Sequence, residues 1–403
     1  MDKKLSFFWS ILTILIFITL HLKVFSLPFN LNFDVALSFL LIPLWVFFTF
    51  NIRLFSFKRA ELYLLIFFLI LPIINIHLNN WSEFFKSYGQ YAISYYLVSR
   101  VVKKIPRIQG FTVNRTIFAF QIFLVFVTIG QFILVNVFGF DARNVFGELQ
   151  LYYQQHELIS GIQRMKAFYL EPSYLGFVAI NIFWARYYLD RRKSMFGFNF
   201  LGTLIILILA NSAFGFLAIT CIILFELSRS IKQYPVILGL SIFVIASSLV
   251  YYFQEDLISF FRLNELDPNS QRISSGLFRV LLPIEAIYQM FQDGYIFGLS
   301  FGQFEQYIES MMIFNGHAET SISNSFFLLI GYFGVTAILI YSIMLFIFLK
   351  SKNRILKSFI LLSIINLNNS GAFITLQYVF VAILIPILII SLYERDINNY
   401  SST

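Results

Sequence analysis

Apolar residues run through this chain in long blocks, cut at intervals by short polar or basic connections. Runs of roughly 20 mainly apolar residues are what a helix needs to cross a bilayer. They fall at about 5–24, 33–51, 60–77, 83–101, 115–138, 172–190, 197–211, 213–229, 234–253, 323–349, 357–368 and 372–393. The pattern predicts an all-α polytopic membrane protein with about 12 transmembrane helices in a single integral membrane domain, 1–403. The fourth run ("FFKSYGQYAISYYLV") is the most polar and the eleventh ("SFILLSIINLNN") is short. The first run follows "MDKK" and resembles a signal peptide. The bulky "HLKVFSLPF" after it offers no small-x-small cleavage site, so it reads as a retained span.

Composition agrees. Of 403 residues, 59% are hydrophobic and 12% charged, with 52 Phe. A soluble fold of this length carries about a quarter charged residues. The net charge of +8 does not point to nucleic acid, because the cations cluster between the apolar runs. "RLFSFKR" (53–59), "RVVKKIPR" (100–107), "RRK" (191–193), "RSIK" (229–232) and "KSKNRILK" (350–357) occupy every second connection. About 21 of the 29 cations lie on that side, which the positive-inside rule makes cytoplasmic, together with both termini. Cys221 is the only cysteine, so no internal disulfide forms.

Two long segments remain on the opposite, periplasmic side: 139–171 and 254–322. Long loops between spans are uncommon and usually functional. The cytoplasmic side has no G-x-x-x-x-G-K-[ST] loop for ATP and no D-x-D pair for a metal-held sugar nucleotide. The chemistry is therefore expected outside.

The first outer segment ends in "RMKAFYLEPSYLGF" (164–177). Arg164 and Glu171 are seven apart, so a helical connection would put them on one face. Pro172 suits the first turn of the sixth span. Glu171 is either a capping carboxylate or part of a charged cluster with Arg164 and Lys166. In the second segment "GLFRVLLPIEAIYQMF" has amphipathic helical spacing and is expected in the membrane interface. Arg279 lies within it and needs an anionic partner; Arg262 and Arg272 precede it. "GYIFGLSFGQF" (294–304) reads as a tight loop, and His317 follows before the tenth span.

In order, side and spacing these residues resemble the Wzy-type O-antigen and capsular repeat-unit polymerases. The features are the outer-loop Arg leading to "EPSYLG", the Arg in "LFRVLLPIEAIYQMF", then "GLSFGQF" and "SNSFFLLIGYFGV" (323–335). They are also similar to the wider family that includes the O-antigen ligases. The resemblance covers the topology and about a third of the chain in motif form. It implies a GT-C-like, metal-independent, inverting glycosyltransferase of the bacterial inner membrane without cofactors. Its substrate would be glycans on undecaprenyl diphosphate, with membrane lipid and a chain-length regulator protein as further partners. Arg164, Arg279, Arg272 and Lys166 would bind the diphosphate. Glu171 or His317 would act as base, and Tyr174 and Asn324 would contact substrate, with Tyr152, Tyr153 and Tyr295 available to stack on sugars. Two departures stand out. The spacing of Arg164 to Gly176 and of Arg279 to Gly294 misses the eleven-residue pattern of some polymerases. Ser323–Asn324 stands where ligases typically read His–Asn, which favours polymerase over ligase. A carrier for lipid-linked sugars would need charge near mid-span, where this sequence has almost none.

Overall fold

The computed structural model describes residues 11–16, 18, 26–27, 31–32, 40–47, 66, 70, 73, 81–101, 110–139, 158–159, 162–167, 169, 172–190, 197–231, 282–310, 324–369, 373 and 375–401. Their regular elements are helices apart from two antiparallel pairs of two-residue strands: β1 (Ser26–Leu27) with β2 (Leu31–Asn32), and β3 (Leu158–Ile159) with β4 (Ile162–Gln163). The helices are α1 (Trp81–Val101), α2 (Gly110–Phe132), α3 (Pro172–Leu189), α4 (Phe198–Ala210), α5 (Ala213–Ile231), α6 (Leu282–Gln292), α7 (Gln303–Ser310), α8 (Ser325–Phe333), α9 (Val335–Lys350), α10 (Arg354–Asn369), α11 (Leu376–Val379) and α12 (Ile385–Ser401). A π-helical turn extends α2 over Ile133–Val137, and another joins α11 to α12 over Phe380–Leu384.

Most expected runs thus appear as helices. The run at 234–253 lies outside the described residues, and that at 60–77 is described only at 66, 70 and 73. Two helical stretches, Thr112–Val137 and Leu376–Glu394, are long and apolar enough to cross a membrane. Their surroundings differ. Phe126 and Val137 in the first are 69% and 65% exposed, whereas the second is mostly buried. Large apolar side chains left outward on one helix are unfavourable in water and suited to lipid.

The chain forms two compact units: residues 1–68, 89–216 and 373–403, and residues 69–88 and 217–372. In the first unit α3 is the central helix. Its apolar side chains go all round, and it is buried from Leu175 to Arg186 between α2, α4 and α12. Phe177 stacks on Tyr378 at 5.6 Å, and Trp45 meets Phe380 edge-on at 4.9 Å while its indole N–H donates to Thr13 Oγ1. Gly176 is required by this packing: a Cβ there would come within 2.7 Å of Ser212 Oγ.

In the second unit α8 is central and touches α6, α7, α9 and α10. The amphipathic spacing of "LPIEAIYQMFQ" gives α6, with Leu282, Ala286 and Met290 buried and Ile284, Glu285 and Tyr288 exposed. The single tenth span expected over 323–349 is instead broken at Gly334, which has φ 53° and separates α8 from α9. The backbone of the preceding loop closes the break: Leu299 N–H donates to Gly331 O at 2.7 Å and Val335 N–H to Ile296 O at 3.0 Å. So close an approach leaves no space for side chains at Gly298 or Gly334, and the Phe304 ring leaves none at Gly331. At the other end of this unit Arg354 pairs with Glu226 at 3.1 Å and donates to Phe225 O at 3.0 Å. The connection between α9 and α10 therefore lies beside the end of α5.

Gly334→Ala adds a Cβ against Ile296 O at a positive φ, so it should cost roughly 3–5 kcal/mol. Gly89→Ala, in open space on α1, should be neutral or stabilising by about 1 kcal/mol. Thermal unfolding of the two variants in detergent checks the contrast; equal midpoints would contradict the packed break.

Candidate functional site

The β3–β4 hairpin delivers the chain of the first outer segment to residues 164–167. Here it meets the end of α4, where Asn211 takes a left-handed conformation (φ 44°) and only Asn211 and Ser212 separate α4 from α5. The last carbonyls of a helix have no partner within it. Three successive ones are satisfied from outside: Leu209 O by Met165 N–H (2.9 Å), Ala210 O by Arg164 Nε (3.1 Å) and Asn211 O by Arg164 Nη2 (2.9 Å). The guanidinium thus lies against the negative end of the helix dipole. Such charge-assisted bonds contribute about 1.5–3 kcal/mol when buried, less here because Arg164 is only half-buried.

The next two residues are strained. Ala167 has φ 49°, a left-handed conformation that costs a non-glycine residue about 1–3 kcal/mol. It is held by α2, whose Gln131 Oε1 accepts from both Lys166 N–H (3.2 Å) and Ala167 N–H (2.8 Å). Tyr169 N–H closes the turn on Lys166 O at 2.9 Å. The helical connection expected from Arg164 towards Glu171 is therefore not formed at 164–167. Half-burial removes part of the water around the Lys166 ammonium and lowers its pKa from the usual lysine value. Burial likewise raises the phenol of Tyr169. Pro172 opens α3 as its fixed φ predicts, and Tyr174 is half-buried on the first turn. Glu171, Tyr152 and Tyr153 lie outside the described residues.

In the second outer segment Arg262, Arg272, Arg279 and His317 also lie outside the described residues. Asn324 is described and buried. It caps α8, its Oδ1 accepting from Phe326 N–H at 3.0 Å and its Nδ2 donating to Asn368 Oδ1 at 3.3 Å. Tyr295 meets Tyr307 edge-on at 6.1 Å, and Tyr307 donates its hydroxyl to Asp293. Burial, then the Asp293 hydrogen bond, raises the Tyr307 phenol. Glu305 accepts a hydrogen bond from the buried Tyr332 hydroxyl. Among the described residues no three His, Cys, Asp or Glu side chains gather as metal ligands.

Sequence reasoning missed two polar groups inside apolar helices. Gln131 is one. The other is Arg186, 8% exposed near the end of α3, whose Nη1 donates to Gln121 Oε1 and whose guanidinium covers the Phe118 ring at 4.2 Å. Gln121 Nε2 in turn donates to Asn199 O (2.9 Å) and Thr203 Oγ1 (3.1 Å). This network ties α2, α3 and α4 together. The only signal in the sequence was a polar residue interrupting each apolar run.

The WcaD colanic acid polymerase family matches the chain over residues 8–391. No curated protein matches it.

Gln131→Leu removes the acceptor of two backbone donors at a strained turn and should cost about 2–3 kcal/mol, read as a lowered thermal midpoint. Gln131→Glu keeps an oxygen in place and should cost clearly less. Equal losses would mean that these two hydrogen bonds do not hold the turn.

Proposed function

The chain belongs to the WcaD colanic acid polymerase family, and on that footing we propose that it joins lipid-linked oligosaccharide repeat units into a polysaccharide at the periplasmic face of the bacterial inner membrane. The observation that carries this reading is the family match, which spans nearly the whole chain. The alternation of basic connections and the placing of both long segments opposite them support the side.

The reaction we infer is glycosyl transfer. The bond from the anomeric carbon of the growing glycan to its undecaprenyl diphosphate breaks as a hydroxyl of the next lipid-linked unit attacks from the opposite face. The diphosphate leaves with the bonding electron pair, and the acceptor proton passes to a base. Because the energy lies in the glycosyl–diphosphate bond, the step needs no nucleotide. Cations that neutralise the leaving group would stabilise the transition state. Lys166 and Arg164 in the first outer segment and Arg272 and Arg279 in the second are our candidates. Glu171 and His317 are the candidates for base. Tyr174 would contact sugar. We also assign Asn324 a substrate contact through the N-terminal turn of α8, which it caps.

A strain lacking this chain should still transfer a single repeat unit to the acceptor and lose the ladder of longer products, and the intact gene should restore it. Arg279→Ala and Glu171→Gln should each abolish the ladder while protein abundance is unchanged. Full-length polymer accumulating on undecaprenyl diphosphate in the deletion strain would show a ligase instead.

A further inference from the structure

Asp293 sits where a helix does not favour it. Its N–H donates to Gln289 O at 2.9 Å and Gly294, at φ 88°, ends the turn, so Asp293 closes the C-terminal end of α6. A carboxylate there faces the negative end of the helix dipole. No cation offsets it. Residues 282–310 hold four carboxylates and no Lys or Arg, and Asp293 forms no ion pair among the described residues. A charge kept against a local preference points to a duty other than folding.

The side chain is nonetheless held in one place. Gln289 Nε2 donates to its Oδ1 at 3.1 Å and the Tyr307 hydroxyl to its Oδ2 at 2.5 Å. Burial, then this bond, raises the Tyr307 phenol, so the hydroxyl stays the donor and Asp293 the acceptor. A carboxylate accepts about four hydrogen bonds. Two are taken, and Asp293 is exposed, so its remaining lone pairs are open to solvent. Beside it Gln289 keeps an amide N–H and its carbonyl oxygen. An amide next to a carboxylate offers a donor and several acceptors to adjacent hydroxyls, which is what a pyranose ring presents. The Tyr295 and Tyr307 rings, half-buried and edge-on at 6.1 Å, add surface for its C–H face. An anionic group would be repelled by a stretch whose charges are all acidic.

We propose that Asp293 and Gln289, with the rings of Tyr295 and Tyr307, form a saccharide-binding subsite for an uncharged sugar of the repeat unit. It rests on the polymerase reading for the source of that sugar. Tyr307 and Gln289 fix the carboxylate before the sugar arrives, so little ordering entropy is lost on binding. Hydroxyls bonding to a charged acceptor make the stronger kind of hydrogen bond, which accounts for a carboxylate where an amide would suit the helix better.

The test uses the purified full chain in a detergent without a sugar headgroup. The probe is the repeat-unit oligosaccharide freed by mild acid from the lipid carrier of a strain lacking this chain, so it bears neither lipid nor diphosphate. Calorimetry reads its affinity, and thermal unfolding is followed alongside. Asp293→Asn keeps an oxygen for Tyr307 and removes the charge opposing the dipole. Its midpoint should hold or rise slightly while affinity falls about tenfold. Tyr307→Phe keeps the ring and frees the carboxylate, so affinity should fall about threefold with a lower midpoint. Glu285→Gln removes the same charge two turns earlier on α6 and should change neither. Asp293→Asn binding the glycan as the parent does would overturn the inference. So would an equal loss in Glu285→Gln, or a parent chain that does not bind the free glycan. The polymerase reading is scored separately, by whether the intact gene restores the ladder to the deletion strain.

Discussion

A helix that stops in apolar surroundings leaves carbonyls that water cannot reach, and something else must accept the task of pairing them. The first unit is arranged around that constraint at the end of α4. The helix ends after 13 residues at the left-handed Asn211, and the chain turns through Asn211 and Ser212 into α5. The three carbonyls at that corner are satisfied by Arg164 and Met165, which draws the outer segment onto the helical core. Once that is fixed, the position of Pro172 follows, and with it the central helix α3, whose Gly176 lets the corner approach closely.

The second unit meets the same constraint by other means. There the helix breaks at Gly334, and the groups around the break pair with backbone of the loop at Ile296 and Leu299 instead of with a side chain. The loop backbone lies so close to the break that Gly298 and Gly334 have no room for a Cβ. Phe301 and Phe304 then fill the space beside α8, with Phe301 at 4.9 Å from Tyr332 and 5.8 Å from Phe333 between ring centroids. In each unit a long outer segment is held by a short or interrupted helix. Only the described parts of these segments, 164–167 in the first and 293–302 in the second, are held in this way.

The helices were legible because apolar length and the basic connections are properties of a single run of chain. Pro172 marked the start of α3 through its own ring, and the three-to-four spacing of Leu282, Ala286 and Met290 marked the buried side of α6. What could not be read depends on partners distant in sequence. Nothing local distinguishes Ala167 as left-handed; its conformation is imposed by Gln131, 36 residues away. Gly334 looked like one more residue of a continuous apolar run, because the loop that stabilises the break arrives from residues 296–299. The burial of Arg186 depends on Gln121 and Phe118 of another helix, so nothing near it in sequence marks it. At the candidate site, type and order of residues were visible, while the seating of Arg164 on the carbonyls of Ala210 and Asn211 needed the end of α4.

The motifs that carried the family resemblance take on a different meaning in this light. In "EPSYLG" the proline starts a helix and the glycine admits Ser212. In "GLSFGQF" and "LIGYFGV" the glycines admit backbone and the Phe304 ring. These are determinants of how a broken or shortened helix is packed. The charged residues interleaved with them have no such packing duty at every position. Discrimination between sugars should therefore be sought in side chains around these motifs, and the shared architecture in the glycines and prolines within them. A substitution of these glycines changes whether the chain packed against them is held, and on the proposed function one in the side chains around them is where a change of recognition is expected.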